Sequence, residues 1–188
     1  MASKERQRLK LLNALIYFSE NVIWAGKVKL FKLLYFLDFK HFEQTGRSVT
    51  GLTYRAWPLG PVPNKLNDEW QAPSPDFNEH LNRVNHTLRT GKERQAVQVR
   101  KPFRAEIFTQ RELSLLETLA KKHFRDTAKD MTDASHFETG PWDEIYNVQG
   151  CEQEEIPYDL ALLRRGNAED MDVLEMAKEY EELTSNYG

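Results

Sequence analysis

Sulfur is nearly absent from this chain. Cys151 is its one cysteine, which excludes an internal disulfide and a cysteine cluster for zinc. Long apolar runs are absent too. No stretch reaches the about 18 residues that a membrane-spanning helix needs, so no membrane contact is expected. The opening residues, MASKERQRLK, are charged and contain no apolar leader core; secretion is not expected, and the cytoplasm is the natural compartment. The signatures of common enzyme chemistry are missing as well: no GxSxG, no phosphate loop, no dinucleotide fingerprint. His41, His80, His86, His123 and His136 include no HExxH pair. Gly46-Arg47-Ser48-Val49-Thr50-Gly51 has two glycines but lacks the lysine of a phosphate loop, and reads as a turn. Cys151 sits in the acidic run Cys-Glu-Gln-Glu-Glu, where negative charge disfavours a thiolate. No catalytic residue, metal site or cofactor follows from these residues.

A core and a lopsided charge are what the sequence does have. Hydrophobic residues make up 40% and aromatic residues 11% of 188 positions, enough for a substantial core in one domain. The formal net charge of -3 hides an asymmetry. From Glu138 onward there are 14 acidic and 3 basic side chains; before it there are 15 acidic and 23 basic. Three readings stand: an acidic tail packed on a basic body, an acidic face that meets a basic partner, or a basic body that touches nucleic acid.

Helical spacing of apolar residues predicts a first helix over 5–22 and a second over 27–44. The second is apolar around most of its circumference, through Leu30, Phe31, Leu33, Leu34, Tyr35, Leu37 and Phe42, and should be central. Gly46 and Gly51 bracket a turn, and 52–57 suits a strand. Residues 61–70 read as a short proline-started helix, and 71–77 as a loop. The span 78–92 is ambiguous. Alternation over 95–100, continued by Phe103, Ala105 and Ile107, predicts strand that joins the one before Trp57. Thr109 and Glu112 form a capping box for a helix over 110–124. A short helix from Thr127, a break at Gly140-Pro141 and a helical turn over 142–146 follow. Residues 147–156 read as an acidic linker, 157–164 as a short helix, and 168–183 as an acidic helix with Met171, Leu174 and Tyr180 near one side. The fold class is α+β: a mainly helical single domain with a small antiparallel sheet of two to four strands beside the second helix.

Residues 29–63 carry the most specific pattern. They end in Trp57-Pro58-Leu59-Gly60-Pro61-Val62-Pro63, where three prolines and a glycine stiffen the backbone. This is either a structural corner or a preorganised surface for a protein partner. The run Lys32-Leu33-Leu34-Tyr35-Phe36, then Asp38, Thr45-Gly46 and Ala56-Trp57-Pro58-Leu59-Gly60-Pro61-Val62, resembles the Panacea domain, the SocA-like antitoxin family also labelled phage-associated protein. Ser135-His136 followed by Pro141-Trp142 is similar to that family's C-terminal signature. The resemblance implies a Panacea-like domain over 5–147, with 148–188 an acidic helical extension packed on it or appended to it. It implies an antitoxin that neutralises a cognate toxin by direct binding. It also leaves room for a proteolytic adaptor with a protease or chaperone as further partner.

On the residues, Trp57, Pro58, Leu59, Gly60, Pro61 and Trp142 are the candidate partner contacts, because large aromatics are frequent interface anchors. Asp38 sits on the most apolar helix, and a buried carboxylate needs a partner. Asp38 and His136 are therefore a candidate structural polar pair. The expected function is non-enzymatic binding. The alternatives are a hydrolase-like enzyme using Asp38 and His136, which needs an enclosed polar site with a third activating group, and a nucleic-acid-binding autoregulator using the basic stretch 89–104, which needs steep salt dependence. Nucleic acid is the less expected partner.

Overall fold

The computed structural model describes residues 3–87, 91, 93–137, 140–163 and 168–187. Two helices begin the chain, α1 (Ser3–Asn21) and α2 (Lys27–Thr45). α2 is the centre of the molecule. Leu30, Leu33, Leu34, Tyr35, Phe36, Leu37 and Phe39 on it have no exposed surface, so it packs neighbours on nearly every side. It ends at Gly46, whose φ of 66° supports the left-handed cap, with its N–H on the Phe42 carbonyl at 2.8 Å. That conformation is cheap only for glycine.

The strands form two separate hairpins. β1 (Tyr54–Trp57) pairs antiparallel with β2 (Gly60–Pro63), with Trp57 opposite Gly60 and Tyr54 opposite Pro63. β3 (Leu81–Thr87) pairs with β4 (Glu93–Val99), with Leu81 opposite Val99. The expected single sheet joining the two is not formed, because both edges of β1 are occupied. Its second edge carries 153–156: Gln153 donates to the Ala56 carbonyl at 2.8 Å, Ala56 to Glu154 at 2.9 Å and Ile156 to Tyr54 at 2.8 Å. Part of the expected acidic linker is thus a strand-like partner.

The same register explains why 61–63 is strand and not the start of a helix. Tyr54 and Ala56 spend their backbone groups on 153–156. Their partners across the hairpin, Pro63 and Pro61, therefore stand at positions that exchange no ladder bonds with β1. Proline, which has no N–H, fits there without loss. The helix α3 (Asn64–Gln71) begins one residue later, with Leu66 and Trp70 buried as their spacing predicts. The expected loop after it holds a further turn, α4 (Pro75–His80), capped by Ser74 with Pro75 at its start. Beyond β4 the alternating residues form a 3-10 turn, Ala105–Ile107, instead of strand. Phe103 stacks on Phe108, with centroids 5.7 Å apart.

α5 (Gln110–Lys122) has the predicted capping box in both directions. α6 (Ala128–Phe137), α7 (Pro141–Asp143) and a π turn (Glu144–Val148) follow. The chain closes with α8 (Leu160–Leu163) and α9 (Ala168–Tyr187). α9 packs on α2 and α8 through Leu174 and Ala177 against Phe42 and Leu162. Met171, expected near that side, is exposed. The fold is a mainly helical α+β domain with small antiparallel hairpins. Among the described residues no helix is long and apolar enough to cross a membrane.

Candidate partner-binding surface

Asp38 fixes the turn that leads into the hairpin. Its carboxylate is fully buried and accepts four hydrogen bonds. Val49 N–H and Thr50 N–H reach Oδ1 at 2.8 Å each; the Thr50 hydroxyl at 2.5 Å and the Tyr54 hydroxyl at 2.7 Å reach Oδ2. Burial pushes the carboxyl up to about 6, and the four donors oppose that shift. Burial, with Asp38 nearby, raises the Tyr54 hydroxyl well above its usual range. Asp38 therefore holds residues 49–54, and β1 leaves this node already oriented.

The hairpin is then pinned to α2 and α6. Lys32 is buried, and its Nζ donates to the Pro61 carbonyl at 2.9 Å. Among the described residues no carboxylate pairs with it, and burial pulls its amine down to about 7. Gly60, at φ +92°, closes over this group. A Cβ there would stand 2.5 Å from Lys32 Nζ and 2.7 Å from Ser135 Oγ, so only glycine lets the backbone pass. From the other side Trp142 Nε1 donates to the Trp57 carbonyl at 3.0 Å. The rings of His136 and Trp142 stack 3.8 Å apart, and those of Trp142 and Tyr146 4.8 Å apart.

This arrangement divides the six residues read as partner contacts. Trp57, Pro58 and Leu59 are exposed, Leu59 to 72%. Gly60, Pro61 and Trp142 are buried and hold the tip in place. The pair Asp38–His136 is not formed. Asp38 is satisfied by Thr50, Tyr54 and two backbone amides, while His136 spends its ring on Trp142. The His136 Nε2 is buried without a hydrogen-bond partner, and burial followed by the Lys32 charge lowers its basicity. The enclosed polar site that the hydrolase alternative requires of these two side chains is therefore not assembled by them. Among the described residues no group of three His, Cys, Asp or Glu side chains is placed to hold a metal ion.

A second exposed apolar patch escaped the sequence reading. Trp24, Val28 and Phe124 are all exposed, beside a cleft of about 680 Å³ that Trp24, Lys27, Val28, Arg94 and Lys129 line. Trp24 has a φ of 55°, rare for so bulky a residue. Lys29, buried below, donates to the carbonyls of Ile23, Phe124 and Asp126 at 2.8–3.2 Å and ties the α1–α2 turn to the end of α5. The signal available was Ile23-Trp24-Ala25-Gly26, a bulky residue just beyond a helix end.

These observations define a mainly helical α+β domain that carries a proline-stiffened hairpin tip on its surface. The sequence profile for "Antitoxin SocA-like, Panacea domain" matches residues 30–143, more than half of the chain, and the chain belongs to that family. The match takes in Lys32, Asp38, both strands of the first hairpin, His136 and Trp142, and stops before the segment that closes the other edge of β1. No curated protein and no solved structure matches the chain.

Proposed function

We propose that this protein neutralises a cognate toxin by direct contact, with Trp57, Pro58 and Leu59 as the primary contact and the cytoplasm as the setting. The family supports the antitoxin role. One observation carries the choice of surface: Leu59 is 72% exposed on a turn that Lys32, Gly60 and Trp142 immobilise from beneath. A rigid apolar tip loses little freedom on binding, so more of its buried area counts toward affinity. The test is co-expression with the product of the adjacent reading frame, read by pull-down and by rescue of growth. Trp57→Ala and Leu59→Asp should each weaken the complex by about 2 kcal/mol or more, as for central interface anchors, while the circular dichroism spectrum is retained. Full rescue by both variants would remove the tip from the interface. No complex with the wild type would remove the antitoxin reading.

A further inference from the structure

The turn between α2 and β1 borders a second feature that the hairpin does not use. A cleft of about 800 Å³ opens between the N-terminal half of α1, the C-terminal end of α2, the start of α5 and Tyr180 of α9. Its lining includes Arg6, Lys10, Arg47 and Arg111, and one carboxylate, Glu112. That carboxylate is already committed. Its Oε1 takes Lys10 Nζ at 2.5 Å, and its Oε2 takes the Thr109 N–H at 2.7 Å. Glu112 is buried, so Lys10 and Glu112 cancel at the floor.

The three arginines are left without a carboxylate among the described residues. Arg47 lies over the Tyr180 ring at 4.0 Å. Arg111 reaches the Gln44 carbonyl at 3.4 Å, and Arg6 forms no ion pair among the described residues. An isolated exposed arginine is unremarkable. Three that converge on one concave space, whose lining among the described residues holds no carboxylate besides Glu112, produce a local positive field. The walls add aromatic surface. Tyr158 stacks on Phe42, with centroids 5.3 Å apart, and Tyr180 closes one side, its hydroxyl 3.4 Å from Ser3 Oγ. The volume falls in the range of small-molecule sites. The guanidinium fork matches phosphate oxygens two at a time, and Tyr180 supplies aromatic surface beside them.

We infer that this cleft binds a small phosphorylated anion of nucleotide size, with Arg6, Arg47 and Arg111 on the phosphates and Tyr180 beside the rest of the ligand. The site does not depend on the toxin contact at the hairpin. It does depend on α9, which supplies Tyr180.

The experiment is isothermal titration calorimetry of the full chain with ATP, GTP and inorganic pyrophosphate, repeated at increasing salt. Saturable binding is expected, weaker as salt rises. Each of Arg47→Ala and Arg111→Ala should weaken it about tenfold, the usual scale for a lost charged hydrogen-bond pair. Arg47→Gln, which keeps bulk and loses charge, should behave like Arg47→Ala. Nucleotide binding tighter than pyrophosphate, with the difference lost in Tyr180→Ala, assigns the ring to Tyr180. Equal affinities support phosphate recognition and overturn the role of Tyr180. Absence of saturable binding for all three at millimolar concentration, or binding indifferent to the arginine variants, overturns the inference.

Discussion

Lys32 and Asp38 stand less than two turns apart on α2, and the fold treats their charges differently. Asp38 receives four donors, so its ionised form is solvated by the protein. Lys32 receives one carbonyl. Its amine, at about 7 in the folded chain against 10.5 for the ordinary side chain, is the weaker point. Between those two values the unfolded chain holds a proton that the folded chain has released, so stability rises with pH across the window and is lowest below it. The rise is on the order of 4 kcal/mol for this group. Lys32→Met, which keeps the length and removes the charge, should flatten it, as read from urea midpoints between neutral pH and pH 10. A slope unchanged in Lys32→Met would show that the ammonium is not the source. The need for a partner at Asp38 was legible from its place on the most apolar helix. The partner's identity was not. Thr50 and Tyr54 reach it through a turn whose path depends on Gly46 and Gly51, and His136 had a ring to stack on that spacing cannot reveal.

The elements divide by how local their causes are. α1, α2 and α5 were readable because periodicity, a glycine stop and a capping box act within a few residues. The strand Gly60–Pro63 was not, because two prolines in four residues argue against a strand until the opposite edge of β1 is known to be taken. The chain from Ala105 to Ile107 kept an alternating pattern but had no strand edge to join. The first hairpin depends most on Gly60. Gly60→Ala adds a methyl group where Lys32 Nζ and Ser135 Oγ already sit, at a φ of +92°. The cost should be about 2 kcal/mol or more, read as a lower thermal midpoint with toxin rescue lost in parallel. A midpoint within error of wild type would mean that the hairpin is free to lift from α2.

For the molecule as a whole, the family match ends at residue 143, while the core does not. Ile156 and Leu162 are almost completely buried, and the Tyr158 hydroxyl donates to the Leu52 carbonyl at 2.6 Å. Each large apolar side chain contributes about 1.5–3 kcal/mol by burial, against a typical net stability of about 5–15 kcal/mol. Truncation after Asn147 should therefore leave a chain without a cooperative thermal transition. Truncation after Leu163 removes α9, whose buried apolar contribution among the described residues is Leu174 and Ala177, and should retain the transition at a lower temperature. A cooperative fragment 1–147 would sink this reading. The acidic composition of 148–188 was visible in the sequence. Its attachment to β1 was not, because pairing between segments so far apart leaves no local pattern.

That attachment has a consequence for synthesis. The strand that closes the second edge of Tyr54–Trp57 is made about a hundred residues after it, which at ribosomal speed is a delay of roughly 5–20 seconds. During that interval the hairpin behind the exposed tip is a seam sewn on one side. An unpaired strand edge accepts any extended segment that meets it. The stretch that finally occupies it contains Glu154 and Glu155, with Glu152 just before it, and charge of this kind disfavours pairing with a wrong edge.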